Sequence, residues 1–248
     1  KTPFGYEQLA SDPRLSSIER SLGSDRLTLS RQVGIQLAGD LLDQRVRYAG
    51  GLFNGTSVNS SSNDNSKFTL AGRLTAVPLA PANDSAGPRL ALGINGYFSD
   101  DDQLSGLPGE FKFNTSTNKA ADNIFTGERA GWGADAQFSV SRFELWSEYL
   151  GSRYEPDNRV PDGTVDAEAW YAQATWYFLP SRLQGLVKYD TFDPNTDAEK
   201  DRTDTWTIGL NVYIRDHDLK LQFDYLSSDL QSSDTTEEKY LARLQAIF

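Results

Sequence analysis

The stretch 205–214 reads TWTIGLNVYI and decides the fold class of this chain. Its even-numbered residues, from Trp206 to Ile214, are all apolar, whereas most of those between them are small or polar. Successive side chains of an extended chain point to opposite faces. A period of two residues therefore predicts a β-strand with one apolar face.

The same alternation recurs along the chain and predicts an all-β protein. No stretch shows the period of an amphipathic helix of ordinary length. With a short first strand over 1–6, the predicted strands number about twelve. The others lie at about 31–40, 44–53, 67–75, 89–98, 129–139, 142–152, 167–178, 182–192, 205–214, 219–225 and 238–248.

Short and long connections alternate between these strands, apart from a Pro-rich connection over 78–88 that is longer than its short counterparts. Barrels of the bacterial outer membrane have short periplasmic turns and long external loops. The alternation therefore predicts an antiparallel transmembrane β-barrel, although the period of two alone also fits a soluble β-sandwich or lectin-like module. The short connections are predicted at 41–44, 140–141, 179–181 and 216–217, and the long ones at 7–30, 54–66, 99–128, 153–166, 193–203 and 228–238.

The composition excludes several classes of function. The 248 residues include no Cys and one His, which rules out disulfide scaffolds, cysteine nucleophiles and His-rich metal sites, so we expect no metal and no cofactor. The 24 Lys and Arg against 35 Asp and Glu give a net charge of −11, which argues against a nucleic-acid partner. No apolar run reaches the ~18–20 residues of a membrane-spanning helix.

The C-terminal stretch 240–248 reads YLARLQAIF, an amphipathic strand that ends on Phe248. This pattern resembles the terminal signature that is read by the outer-membrane barrel assembly machinery. We therefore expect that machinery and outer-membrane lipids as partners, and the outer membrane of a Gram-negative-type bacterium as the location. The acidic residues cluster in predicted loops, where they form either a solvated rim or, with bridging divalent cations, a contact to lipopolysaccharide.

Four stretches resemble the phosphate-selective porin O and P family: KTPFGYEQL at 1–9, IERSL at 18–22, YAGGLFNG at 48–55 and LAGRL at 70–74. The resemblance implies a sixteen-stranded outer-membrane porin, often trimeric, whose third and fifth outer loops fold into the lumen. On that basis, 1–248 is a single barrel domain with inward-folding loops at about 7–30 and 99–128. About four strands would then precede this chain; closure as a twelve-stranded barrel is the alternative.

Basic residues are the candidate pore-lining and constriction residues. Rings of Arg and Lys lower the electrostatic barrier for anions, and one Arg guanidinium group can donate hydrogen bonds to two phosphate oxygens at once. Wall carboxylates such as Asp135, Glu148 and Asp224 balance many of these charges, so ordinary wall charges are the alternative. The strands contribute Arg45, Arg47, Lys67, Arg73, Arg89, Lys188, Lys220 and Arg243, and the two loops contribute Arg14, Arg20, Arg26, Lys112 and Lys119.

The function predicted from these features is a passive, water-filled diffusion channel for small solutes, with anion or phosphate selectivity as a finer hypothesis and a homotrimer as the expected assembly. The alternative is a non-conducting outer-membrane barrel with a structural or partner-binding role. We predict no enzymatic activity. His217 lies between Asp216 and Asp218 in a predicted short turn, and no serine nucleophile can be paired with it from the sequence.

Overall fold

The computed structural model describes residues 1–57, 67–81, 87–104, 107, 110–111, 125–157 and 163–247. Within these ranges the chain begins with three short helical segments, α1 (Tyr6–Leu9), a 3-10 helix (Asp12–Arg14) and α2 (Leu22–Leu27). Eleven strands follow in one antiparallel sheet, in which each strand pairs with its neighbours in sequence. They are β1 (Gln32–Leu41), β2 (Val46–Ser57), β3 (Thr69–Leu79), β4 (Arg89–Leu104), β5 (Phe125–Val140), β6 (Phe143–Pro156), β7 (Val165–Leu179), β8 (Leu183–Asp193), β9 (Thr203–Arg215), β10 (Leu219–Leu230) and β11 (Thr235–Ala246).

The eleven strands predicted after residue 30 are confirmed, but several extend further towards the long loops. β4 continues through the acidic run 100–102, and β10 and β11 are joined by four residues, where a long loop over 228–238 was expected. The loop expected over 99–128 likewise shrinks to 105–124, most of which lies outside the described residues. At these strand ends both faces carry polar or charged side chains, so the apolar alternation is lost while backbone pairing continues, and the sequence pattern stops before the strand does.

The predicted strand over 1–6 is wrong. Tyr6 begins α1, and Gly5 before it has a φ of 77°, a conformation that glycine adopts without steric cost. The hydroxyl of Thr2 donates to the carbonyl of Ser30 at 3.0 Å, so the start of the chain is tied to the residues just before β1. Phe4 is fully buried, which shows that the alternation here reflects burial and not strand pairing.

The two faces of the sheet have opposite character. On one face, here called the apolar face, Ile35 is 84% exposed and Ile208 is 57% exposed. On the other, the polar face, Lys220 and Gln222 are fully buried. A water-soluble protein buries its apolar face, whereas a membrane barrel presents that face to lipid. The exposed apolar face therefore fits a lipid environment.

Residues 1–31, here called the N-terminal segment, account for much of the burial on the polar face. Phe4, Leu27 and Leu29 join a buried apolar cluster that includes Tyr97 of β4 and Phe192 of β8. The rings of Phe4 and Tyr97 meet edge to face with their centroids 4.7 Å apart. The segment thus packs against the polar face. None of the helices in the described ranges has the length and apolarity needed to cross a bilayer.

β1 and β11 are the first and last strands of the sheet, and no pairing joins them in the part of the chain that the structure describes. The predicted strand totals, twelve for a closed barrel or sixteen for a larger one, therefore stay predictions.

Candidate functional site

Carboxylates of the polar face accept hydrogen bonds from backbone N–H groups of the N-terminal segment. Oδ2 of Asp224 on β10 accepts from the N–H of Ile18 at 2.6 Å, and Oδ1 of Asp190 on β8 accepts from the N–H of Leu22 at 3.1 Å. Both aspartates are 4% exposed. Because buried N–H groups outside regular structure need an acceptor, these contacts fix the path of the segment between α1 and α2.

The start of α1 is held in the same way. Oε2 of Glu148 on β6 accepts from the N–H of Glu7 at 3.1 Å, and its Oε1 accepts from the N–H of Tyr6. Oδ1 of Asn95 on β4 accepts from the N–H of Gly5 at 3.2 Å. The first N–H groups of a helix have no partner within the helix, and the wall of the sheet supplies these partners here.

Donors of β9 and β10 contact the carbonyl oxygens of the same segment. Nζ of Lys220 donates to the carbonyl of Leu15 at 2.8 Å, and Nδ2 of Asn211 donates to the carbonyl of Ser16 at 2.8 Å. Nε2 of Gln222 also donates to Ser16, at 3.1 Å. The polar face therefore satisfies both the donors and the acceptors of the segment.

A buried ion pair joins α1 to β8. Nζ of Lys188 lies 2.7 Å from Oε1 of Glu7, and the side chains are 1% and 2% exposed. Ser21 donates to Oε2 of Glu7 through its hydroxyl at 2.6 Å and through its N–H at 2.8 Å. Burial acts to raise the pKa of Glu7, but the Lys188 ammonium and the Ser21 hydrogen bonds outweigh it and lower the pKa below its ordinary value.

A cavity of about 620 Å³ lies between the N-terminal segment and the short-turn ends of β2–β7 and β9, and we call it the basic cavity. Four arginines line it, together with the single carboxylate of Glu144. Its aromatic lining residues are Tyr6, Tyr48, Trp146, Tyr177, Tyr213 and His217, and its arginines are Arg14, Arg47, Arg73 and Arg89.

A second cavity, of about 240 Å³, lies by the long-loop ends of β9–β11, and we call it the acidic cavity. Six carboxylates line it against three basic side chains. The carboxylates are Glu19, Asp25, Glu110, Asp190, Asp224 and Glu237, and the basic residues are Arg20, Arg26 and Lys239. The two cavities therefore have opposite charge and lie towards opposite ends of the strands.

The family described as phosphate-selective porin O and P matches this chain over residues 1–248. The chain belongs to this family. Membership of a porin family supports a channel and not an enzyme. The family, together with the solved structures described next, places this porin O and P protein in the bacterial outer membrane.

Among solved structures, this porin is similar to OmpT of Vibrio cholerae, an outer-membrane protein. The in-vitro folded form has a TM-score of 0.53 and 11% identity, with 86% of this chain and 60% of that chain covered. The outer-membrane expressed form has a TM-score of 0.53 and 9% identity, with 97% and 69% covered. The chain thus spans well under the full length of both, and at these identities the likeness shows the fold alone. No curated protein matches this chain.

Six of the thirteen predicted basic residues of this porin are in ion pairs. Arg73 on β3 pairs with Asp135 on β5 at 2.7 Å, and this pair is almost fully buried. Arg20 pairs with Asp12, and its hydrogen bond lowers the pKa of Asp12. The remaining pairs are Arg26–Glu110 at 3.0 Å, Arg47–Asp40 at 3.3 Å, Lys67–Asp100 at 2.5 Å and Lys188–Glu7 at 2.7 Å.

The other seven predicted residues fall into four groups. Lys220 and Arg243 hold the N-terminal segment, the latter through an Nη1 contact of 3.3 Å to the carbonyl of Ile18. Arg14 and Arg89 line the basic cavity, and the structure shows no ion pair for either within the described residues. Arg45 is exposed in the turn between β1 and β2 and lines neither cavity, while Lys112 and Lys119 lie outside the described residues.

Sequence reasoning missed the neutral residues that dock the segment. Asn95, Asn211 and Gln222 contact it directly, and all three lie on the polar face. The signal that could have found them is a neutral amide at an inward position of a strand, because a buried amide needs hydrogen-bond partners. The aromatic lining of the basic cavity was likewise missed, since Tyr6 was assigned to a strand and Trp146 was not assigned a role.

His217 lies in the turn between β9 and β10, as predicted. Its Nδ1 lies 3.0 Å from the carbonyl oxygen of Pro13, and its ring meets that of Tyr213 edge to face. Within the described ranges it makes no hydrogen bond to a serine, and no cluster of His, Asp and Glu has the geometry to hold a metal ion. His217 therefore contacts the N-terminal segment from the short-turn side.

Proposed function

We propose that this porin forms a passive, water-filled diffusion channel for small solutes, with the polar face as the wall of its lumen. The observation that carries the proposal is the reversed burial of the sheet, with large apolar side chains exposed on one face and Lys, Gln and Asp buried on the other. In a barrel this arrangement directs the apolar face to lipid and the polar face to the pore.

The N-terminal segment is the constriction of this proposed channel. It lies against strands from β4 to β11 through the carboxylates, amides and lysines described above, and it leaves a cavity on each side. A solute would pass the acidic cavity near the long loops, then the segment, and then the basic cavity near the short turns. Each contact must be weak enough to release the solute if the channel is to conduct.

An anion preference is the finer part of the proposal, and the basic cavity supports it. Arg14 and Arg89 have no carboxylate partner there among the described residues, whereas Arg73 and Arg47 are paired. Glu144 and the acidic cavity act against an anion preference. We propose that the basic cavity dominates because it has two uncompensated guanidinium groups, which offer paired donors to an anion.

The experiment uses the full-length protein in a planar bilayer under a salt gradient, with and without added phosphate. Single-channel current steps with a reversal potential on the anion side support the whole proposal, and a decrease of that current on adding phosphate supports phosphate as a solute. A reversal potential near zero or on the cation side rejects the anion preference but leaves the channel. Folded protein that gives no current steps rejects the channel.

The non-conducting barrel is the second candidate, and one observation favours it. The docked segment makes at least one hydrogen bond to each of β4, β6, β8, β9, β10 and β11, so it covers much of the polar face. Loops of such a barrel would bind a partner without transport. The same bilayer recordings distinguish the two, since only the channel gives current steps.

We further propose a sixteen-stranded barrel, a homotrimer, and contacts with lipopolysaccharide and the barrel assembly machinery. In a sixteen-stranded barrel, eleven strands follow the third outer loop, and eleven described strands follow the N-terminal segment here. β11 supports recognition by the assembly machinery because its alternation continues to Ala246, while Phe248 lies outside the described residues. Cross-linking in native membranes tests the trimer.

A further inference from the structure

We propose that the basic cavity binds organic anions that combine a carboxylate with an aromatic or apolar body, in preference to inorganic phosphate. This inference rests on the proposed function, since a solute reaches the cavity through the pore. It also goes beyond the anion preference, because it specifies what the uncharged part of the solute must be.

The charge of the cavity provides the first part of the argument. Arg14 is exposed and Arg89 is half-buried, and neither pairs with a carboxylate among the described residues. Glu144 lines the cavity as its single acidic side chain, with Thr175 donating to it at 3.4 Å. One carboxylate against two unpaired guanidinium groups leaves a net positive site. A carboxylate ligand can accept two parallel hydrogen bonds from one guanidinium group.

The aromatic residues that line the cavity, here called the aromatic wall, provide the second part of the argument. The rings of Tyr6 and Trp146 lie edge to face with their centroids 5.5 Å apart, and Tyr177 and Tyr213 lie with their centroids 6.0 Å apart. Arg73 stacks on the ring of Tyr6, with its guanidinium carbon 5.8 Å from the ring centroid. Aromatic rings favour edge-to-face and offset contacts with a further ring. The cavity therefore offers the aromatic ring of a ligand a packing position next to the guanidinium groups.

These two features together disfavour a small, strongly hydrated anion. Phosphate has oxygen on every side and must exchange its water for donors on every side. Here Leu9, Val77, Ala91 and the faces of the aromatic rings form part of the lining and offer no donor to such oxygens, so donors reach an anion from some directions only. The volume of about 620 Å³ also lies within the ~300–1,000 Å³ that is typical of pockets for small organic molecules.

The test measures equilibrium binding by calorimetry to the full-length protein folded in detergent, so it does not depend on conduction. The probes are benzoate, acetate, inorganic phosphate and benzylamine, which separate the effects of ring and charge. We expect benzoate to bind at least about ten-fold more tightly than acetate or phosphate, and benzylamine to bind more weakly than benzoate, since a ring contact and an ion pair contribute together.

Two variants and a control locate the site. Trp146→Leu should weaken benzoate binding roughly 2- to 10-fold and leave acetate binding unchanged, because it removes only the ring contact. Arg89→Met should weaken both carboxylates. Trp170→Leu is the matched control: Trp170 is 43% exposed on the apolar face and lines neither cavity, so it should change nothing. Heat-modified mobility on gels verifies that each variant is folded.

The outcomes separate this inference from the proposed function. Three results would each overturn the inference, even when the bilayer shows a conducting channel. They are benzoate binding no tighter than acetate, phosphate binding more tightly than benzoate, and a Trp146→Leu variant that binds benzoate with wild-type affinity. Conversely, tight benzoate binding that Trp146→Leu weakens, in a protein without current steps, upholds the site and rejects the channel.

Discussion

The carboxylate of Glu7 and the ammonium of Lys188 are 2.7 Å apart and almost completely buried, although 181 positions separate them in the chain. Lys188 also lies over the ring of Tyr171, with Nζ 5.1 Å from the ring centroid. Two buried charges of opposite sign stabilise each other only while both are present. This pair therefore joins the N-terminal segment to the middle of the sheet.

Removing one partner of the pair should release the segment. In Lys188→Met, Glu7 is left buried without a counter-charge, which costs about 3–5 kcal/mol. The chain has no Cys, so a dye on Ser11→Cys reports the mobility of the segment by fluorescence anisotropy. We expect anisotropy to fall in Lys188→Met and to recover largely in Glu7→Gln/Lys188→Met. Lys200→Met, in an exposed loop, is the control, and equal anisotropy in all variants would contradict a linking role.

The docking of the segment should depend on pH through Glu7. The pKa of Glu7 is lower in the folded protein than its ordinary value of 4.5. Its contribution to stability is therefore complete above about pH 4.5 and is lost as the pH falls through the lower, folded-state pKa. The same dye should show a fall in anisotropy below pH 4.5. In Glu7→Gln that step should be absent; an unchanged step would assign it to another group.

Freeing Arg73 should increase the anion preference of the channel. Asp135 neutralises Arg73, and its side chain is fully buried. Asp135→Asn keeps the shape of the side chain and removes its charge, so the reversal potential in a salt gradient should move towards the anion side. Glu128→Gln, an exposed residue of the same strand, makes the same change in charge and should move the potential less. An equal shift in both would mean that net charge, and not the basic cavity, sets the selectivity.

α2 lies so close to β7 that only glycine fits at position 23. A methyl group at Gly23 would overlap the Cβ of Ala169, whereas the next nearest atom, the Cα of Ala169, lies 3.6 Å away. Gly23→Ala should therefore loosen the segment, although alanine favours the helix itself by about 1 kcal/mol. Gly23→Ala/Ala169→Gly should restore docking, as measured by the anisotropy of the dye. Failure of the double variant to recover would mean that the contact is not limiting.

Two neighbouring residues of β9 should respond in opposite ways to arginine. Ile208 is exposed on the apolar face, and Thr207 is buried on the polar face, where it lines the acidic cavity. Ile208→Arg should reduce the stability of the protein in lipid vesicles by about 2–4 kcal/mol if that residue lies near the bilayer midplane. Thr207→Arg should be much less harmful. Urea unfolding from vesicles measures both, and equal losses would argue against a lipid-facing apolar face.

The fold was largely predictable from the sequence, because strand faces obey a strict period. That period alone placed Lys188, Lys220 and Arg73 on the polar face of their strands, where the structure has all three largely buried. What the period could not give is contact between distant residues. Lys188 was expected to line a pore, but it pairs with Glu7. Lys220 binds the backbone carbonyl of Leu15, and a contact to a backbone group produces no sequence pattern.

The strand over 1–6 shows the opposite limit of sequence patterns. Thr2, Phe4 and Tyr6 alternate as a strand would, but Gly5 turns the chain into α1 and the polar face buries Phe4. A run of only three alternating side chains is too short to distinguish strand pairing from burial. The aromatic wall of the basic cavity was hidden for a related reason, because Tyr6 and Trp146 meet only after the segment has folded across the sheet.

The contact between Arg243 and Ile18 has a consequence for the order of assembly. Every strand pairs with a neighbour in sequence, so the sheet can grow one hairpin at a time through local steps, which are kinetically favoured. The N-terminal segment, by contrast, contacts β10 and β11 and cannot settle until these last strands are in place. The segment precedes all eleven strands in the chain but is the last part to reach its final position, and its immobilisation marks a finished sheet.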